Sequence, residues 1–405
     1  MAAALWGKVY FDDRYAGELK QEPGGRCVFT YDTSYLSSGG AAIALTLALQ
    51  SEPILCERGL HPFFDNLVAE GWLRNAQARS LKIDPNNRFA LLLAYGHDCA
   101  GAVSVIDPSP TQEPVIDIGD PLATAALVSR SSLSGVQAKL MAVPSGKSFR
   151  PARPNEVSTF IAKLPSGNLT DIVQNEYLTT MASKALLPDD EIVDVKISAV
   201  EGVEGEALIV KRFDRLKSGA RLHFEEFNQL LGKYSGDEKY NAAYEDIASF
   251  VRNSPSCIPA DAWRLYKRFL SCFLTGNTDA HLKNFAMFHT TEGLRHTPAY
   301  DLVAAALYPQ FNTLTLSING AENLGIGDLK PKHIIALGHA CGLSEQAILM
   351  TIADLDKRRA SVSKIVQYES KKIGNEALGQ KLLDFMERRW NGSFNSIGTL
   401  LSKKQ

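Results

Sequence analysis

The sequence predicts an α+β fold in two lobes, a mixed α/β N-terminal lobe followed by a mostly α-helical C-terminal lobe. Three observations lead there. Short runs of β-branched and aromatic residues between polar turns are concentrated before about residue 217. Beyond Glu225 apolar residues recur at helical spacing, with one β-type interruption at 285–300. The chain has 405 residues, 45% hydrophobic and 22% charged, which suits a two- or three-domain globular protein and excludes a disordered chain or a coiled-coil rod. The expected divisions are 1–107, 108–217 and 218–405.

In the first division Val9-Tyr10-Phe11, the Asp12-Asp13 turn and Arg14-Tyr15-Ala16-Gly17 read as a hairpin. Residues 27–31 and 42–49 add β-type runs, and 103–106 a last strand. The spacing predicts helices over 63–73 and 89–95, the second stopping at Gly96. Residues 107–113 are loop-like and mark a boundary. In the second division 139–143, 159–163 and 207–213 read as strands, with a helix over 176–187. In the third, a long helix over 263–275 has Asp261 near its start as a cap, and helical patterns resume at Lys332. The tail Lys403-Lys404-Gln405 is expected to fray.

Charge limits the partners. Lys+Arg minus Asp+Glu is 43 − 45 = −2, which does not suit a broad phosphate-coating surface. No stretch approaches the ~20 apolar residues of a membrane span, and the first eight residues lack the pattern of a signal peptide. The six cysteines are scattered without a Cys-x-x-Cys pair. Reduced thiols, a cytoplasmic location and oxygen rather than sulfur ligands for any metal are the expectation.

The chemistry concentrates in Asn277-Thr278-Asp279-Ala280-His281-Leu282-Lys283-Asn284-Phe285. Asp279 and Asn284 stand five positions apart, the spacing of the base and the metal-holding amide in a kinase catalytic loop. A hairpin pattern follows and ends at Tyr300-Asp301, where a second hard oxygen ligand belongs. The plainer alternative makes Asp279 and Asp301 caps of the next turn and helix. Upstream, Lys163 lies in the apolar run Phe160-Ile161-Ala162-Lys163-Leu164. A lysine on a buried strand needs an anion, either a ligand phosphate or Glu176 in the next helix; on an edge strand it would face solvent. The strand running into Lys211-Arg212-Phe213-Asp214-Arg215 fits a hinge whose backbone reads an adenine edge, or a strand end with Asp214 and Arg215 paired on the surface. No G-x-G-x-x-G is present. The segment Ser132-Leu133-Ser134-Gly135-Val136-Gln137-Ala138-Lys139 could lay backbone N–H groups on phosphate, or be a polar turn. Each signal is weak alone, but their order along the chain is the order a kinase needs.

Together these residues resemble the HipA-type serine/threonine kinases of bacterial toxin–antitoxin pairs. The resemblance rests on the segment 132–139, Ile161-Ala162-Lys163-Leu164-Pro165, Asn175-Glu176-Tyr177, Arg212-Phe213-Asp214-Arg215, the block 278–285 and Tyr300-Asp301. Phe63-Phe64-Asp65-Asn66-Leu67 with Glu70-Gly71 is similar to the family's N-terminal region. The resemblance implies a fold related to protein and phosphoinositide kinases, with ATP and Mg2+ as cofactors. Asp279 would be the catalytic base, with Asn284 and His281 also catalytic, and Asn284 and Asp301 the magnesium ligands. Lys163 would hold phosphates, with Gly135, Val136, Gln137, Lys139 and Glu176 around the nucleotide. Lys211, Arg212 and Phe213 would line the adenine site, Lys211 replacing an acidic residue that some relatives carry.

The resemblance also implies self-inactivation by phosphorylation of Ser132 or Ser134 in the phosphate loop. It implies a small helix-turn-helix antitoxin of the HipB type, operator DNA reached through that antitoxin, and a protein substrate such as an aminoacyl-tRNA synthetase. A small-molecule phosphotransferase is the alternative enzyme, but its loop usually reads H-G-D, and Thr278 stands before Asp279 here. An inactive antitoxin-binding protein is the other alternative, against which the intact Lys163, Asp279, Asn284 and Asp301 argue.

Overall fold

The structure is a computed structural model that describes residues 5–110, 114–115, 119, 121–128, 137–153 and 156–402. The chain forms two compact units, residues 1–166 with 198–238, and residues 167–197 with 239–405. Ser132, Ser134, Gly135 and Val136 lie outside the described residues.

The first unit opens on the expected hairpin. Asp12 and Asp13 both have positive φ, 46° and 64°, the backbone of a tight two-residue turn between Trp6–Phe11 and Arg14–Gln21. Around it runs an antiparallel sheet in the order Ile54–Cys56, Cys27–Tyr31, Arg14–Gln21, Trp6–Phe11, Val103–Ile106. Residues 42–49 are not a strand. The segment folds back on itself, with the Leu47 N–H donating to the Ala44 carbonyl, and buries Ile43, Ala44 and Leu47 from a loop. Its apolar residues mark burial without a pleat, and Ile54–Cys56 takes the edge position instead. The helix predicted over 63–73 is two helices, Pro62–Asp65 and Gly71–Leu81. The Asn66 amide closes the first by donating 2.8 Å to the Pro62 carbonyl.

A second sheet in this unit sets Ser148–Pro151, Lys139–Ser145, Phe160–Lys163 and Glu206–Lys211 side by side, all antiparallel. Three of these match the expected strands. Ser148–Pro151 is four residues long and ends in a proline, too short to show a period of two.

In the second unit the central helix is Pro259–Thr275, starting earlier than its apolar spacing suggested. Proline occupies its first turn, and Asp261 sits three residues in, accepting 3.0 Å from the Ile258 N–H. Leu265, Phe269 and Phe273 form its buried stripe. Phe269 and Phe273 meet the Tyr244 ring edge-on, and Phe269 meets Phe285, so one aromatic cluster supports the loop after the helix.

The helix ends at Gly276, whose φ of +79° is the left-handed C-terminal cap. A Cβ there would lie 2.7 Å from the Phe385 ring and 3.1 Å from Ala306. Gly276→Ala is therefore expected to lower stability by at least about 1–2 kcal/mol for the left-handed backbone alone, with overpacking added. A lowered urea midpoint at unchanged slope is the result that checks this.

Candidate active site

The loop after Gly276 is fixed from several directions within the second unit. The Thr278 hydroxyl donates to the Phe311 carbonyl, and the Thr278 carbonyl accepts 3.0 Å from the Thr315 N–H. The Tyr244 hydroxyl reaches the Ala280 carbonyl at 3.4 Å. Asp279, held between these anchors, is partly buried. Tyr240 meets the His281 ring edge-on at 5.3 Å between centroids.

Asn284 then turns back. Its Oδ1 accepts 2.9 Å from the His281 N–H, and its Nδ2 donates 2.7 Å to Asp301 Oδ2. The expected hairpin, Ala286–Thr290 with Gly293–His296, lies between Asn284 and Asp301 in the chain. Tyr300 donates 2.7 Å to the Lys283 carbonyl, which draws the end of the hairpin segment onto the loop. Asp301 has φ +56°, a left-handed backbone that aspartate tolerates better than most residues. Neither Asp279 nor Asp301 caps a following helix. The next helical turn, Ala305–Leu307, has Ala304 at its cap.

Two residues that lie in the quoted motifs but were given no role of their own hold this arrangement. Buried Asn277 donates through Nδ2 to the Asp301 carbonyl at 3.2 Å. Asn175, on the helix Ile172–Leu186, pairs with Ala304 in both directions, at 3.2 and 2.9 Å. The position of Asn277 directly after a helix-ending glycine was the available sequence signal. Glu176, the partner expected for Lys163, is buried in the same helix of the second unit.

The electrostatics follow from this crowding. Burial, and then the Asp301 charge, push the Asp279 carboxyl up to about 6, and Lys239 pulls in the opposite direction. Two neighbouring carboxylates and an amide oxygen with one lone pair left are hard oxygen donors suited to a divalent cation of the Mg2+ kind.

The first unit holds the other predicted residues. In the sheet register Lys139 stands directly opposite Lys163, so both side chains leave the same face, and both are buried. Gln137 donates 2.8 Å to the Leu164 carbonyl, fixing the start of the lysine strand.

Lys211 ends the hinge strand opposite Phe160, and the next N–H, of Arg212, donates 2.8 Å to the Thr159 carbonyl. Lys211 is the last residue of that strand, and the chain passes through Arg212 into a turn at Phe213 and Asp214.

The Arg212 side chain is committed elsewhere. It forks onto Asp214 with two bonds of 2.9 Å and reaches Asp98 at 3.0 Å. Asp214 and Arg215 are paired at 2.8 Å, but in the interior and not on the surface. What Arg212 can offer a nucleotide is position, not its guanidinium.

Comparison with known proteins agrees with this order of elements. Residues 131–362 match the model of the HipA-like C-terminal domain, and residues 7–106 that of the HipA N-terminal domain. The putative kinase Y4dM of Sinorhizobium fredii is 30% identical over 365 residues, covering 84% of this chain and 86% of that protein. The serine/threonine-protein kinase toxin HipA of Shewanella oneidensis is 28% identical over 349 residues, 76% and 77% of the two chains. The HipA chain from the solved Shewanella oneidensis MR-1 complex of HipA, HipB and operator DNA superimposes with a TM-score of 0.76 at 21% identity, covering 96% of this chain and 99% of that one. With two family models matched in sequence order and relatives aligned along most of its length, the chain belongs to the HipA family of toxin kinases.

Proposed function

We propose that this chain transfers the γ-phosphoryl group of ATP to protein serines, beginning with a serine of its own phosphate loop. The observation that carries this reading is Asp279 beside the Asn284–Asp301 pair, on a loop anchored from both sides. Asp279 would accept a hydrogen bond from an incoming serine hydroxyl and take its proton as the new P–O bond forms and the bond from the γ-phosphorus to ADP breaks. Asn284 and Asp301 would hold Mg2+, which when bound offsets the charge of the phosphate oxygens. Lys163 and Lys139 would grip phosphates, Lys163 as the strand lysine of the family pattern. Backbone groups of Lys211 to Phe213 would read adenine, and Gly135, Val136 and Gln137 would take part in binding ATP. No covalent enzyme intermediate is needed; rate enhancement comes from positioning and preorganised charge.

Phosphate on Ser132 or Ser134 would add a charge of about −1.5 to −2 beside the nucleotide phosphates and favour an ejected loop. By analogy with the HipA–HipB–DNA complex, a HipB-like antitoxin is the proposed partner, with operator DNA reached through it. An aminoacyl-tRNA synthetase is the proposed class of cellular substrate.

The time course of ADP formation from Mg·ATP tests the reading. Wild type should form ADP in step with its own phosphoserine and then stop, and the double variant Ser132→Ala, Ser134→Ala, which lacks that acceptor, should form almost none. ATP that is bound but never turned over by either protein would overturn it.

A further inference from the structure

The first hundred residues carry no part of the machinery described so far, yet one of them reaches the hinge. We infer that Asp98 is a positioning residue for the adenine-reading backbone at Lys211–Phe213. This rests on the kinase reading above and adds to it a nucleotide-affinity role for the N-terminal segment.

Asp98 accepts from Arg212 Nη1 at 3.0 Å through Oδ2 and from Arg215 Nη2 at 2.5 Å through Oδ1. Asp214 bridges the same two arginines, by the fork from Arg212 and by Arg215 Nη1 at 2.8 Å. Two carboxylates and two guanidiniums thus close a ring. Arg212, Asp214 and Arg215 are each 5% exposed. The turn that carries Asp98 is locked into the ring as well. Arg215 donates to the Cys99 carbonyl at 2.7 Å and the Gly101 carbonyl at 2.8 Å, and the Gly101 N–H donates 3.0 Å to Asp214. Gly101 has φ +75° and the His223 ring 3.2 Å from where a Cβ would sit, so the close approach suits glycine.

The consequence for the hinge is geometric. Arg212 lies in the middle of the segment whose backbone groups would read adenine, and its own N–H is fixed to Thr159. With side chain and N–H both fixed, the backbone of that segment is held in one orientation. Without Asp98 two buried guanidiniums share a single carboxylate, their repulsion is no longer balanced, and Arg212 must move. The flanking backbone moves with it. Lys163, Asp279 and Asp301 take no part in the ring, so the rate of the bound complex should survive.

The test is ATP affinity against turnover in the full chain. Asp98→Asn keeps the shape and removes the charge. We expect ATP Kd by calorimetry and ATP KM each to rise about tenfold, a difference of about 1.4 kcal/mol, with kcat at saturating Mg·ATP within about twofold of wild type. Asp98→Glu restores the charge and should recover most of the affinity; it also serves if Asp98→Asn does not fold. Wild-type affinity in Asp98→Asn, or in a folded Asp98→Glu an affinity loss accompanied by an equal loss of kcat, would overturn the inference alone. A wild-type chain that binds no ATP would overturn the kinase reading beneath it.

Discussion

Asp279→Asn should abolish phosphoryl transfer and leave the chain at least as stable as wild type. The asparagine keeps the shape of the side chain, so the anchors on Thr278 and Ala280 are undisturbed. It cannot take a proton from serine, and general-base loss of this kind costs roughly 10²–10⁴-fold in rate. Stability should move the other way, because wild type carries a partly buried carboxyl next to the Asp301 charge. An unchanged or raised urea midpoint, together with the lost rate, distinguishes chemical loss from misfolding.

The same group sets a pH dependence. A carboxyl raised by burial to about 6 binds its proton more tightly folded than unfolded. Its contribution to stability is therefore complete below the ordinary carboxylate value and is lost as pH rises through about 6. Activity needs the ionised form, so kcat/KM of the wild-type enzyme should fall as pH drops through about 6, and any residual rate of Asp279→Asn should lack that bend.

Asp301→Ala should have an effect of similar size by a different route. It removes a hard oxygen ligand and the acceptor that holds Asn284 at 2.7 Å. Alanine also tolerates the left-handed backbone at φ +56° less well than aspartate, so some stability goes with the activity. Asp301→Asn separates the two effects, because it keeps backbone tolerance and side-chain shape while losing charge. Both variants should lose Mn2+ binding, read by electron paramagnetic resonance, and about 10²–10³-fold in kcat, the scale of removing one preorganised charge contact. Metal-free ATP binding should persist in both. Retained Mn2+ binding in Asp301→Ala would remove Asp301 from the metal site.

Much of the site was legible because its spacing is local. Asp279 and Asn284 sit on one short loop, Asp301 ends the next hairpin, and Lys163 stands out as a charge in an apolar run. The fold was legible where period and turn chemistry agreed, as at Asp12-Asp13 and in the helix Pro259–Thr275. It was misread at residues 42–49, where burial of Ile43 and Leu47 comes from a folded-back loop. What the sequence hid are the supports made by distant partners. Asp98 lies 114 positions from Arg212, and Asn175 lies 129 from Ala304. No local pattern encodes such pairs. Arg212-Phe213-Asp214-Arg215 is the instructive case, a charged strand end that reads as surface and is interior, because four charges neutralise one another.

Phosphosite mapping by mass spectrometry after incubation with Mg·ATP, wild type beside Asp279→Asn, tests the central claim most directly. Phosphate on Ser132 or Ser134 in wild type and none in Asp279→Asn is the predicted result. Equal phosphate on both proteins, or none on a wild-type chain with ATP bound, would contradict Asp279-dependent phosphoryl transfer.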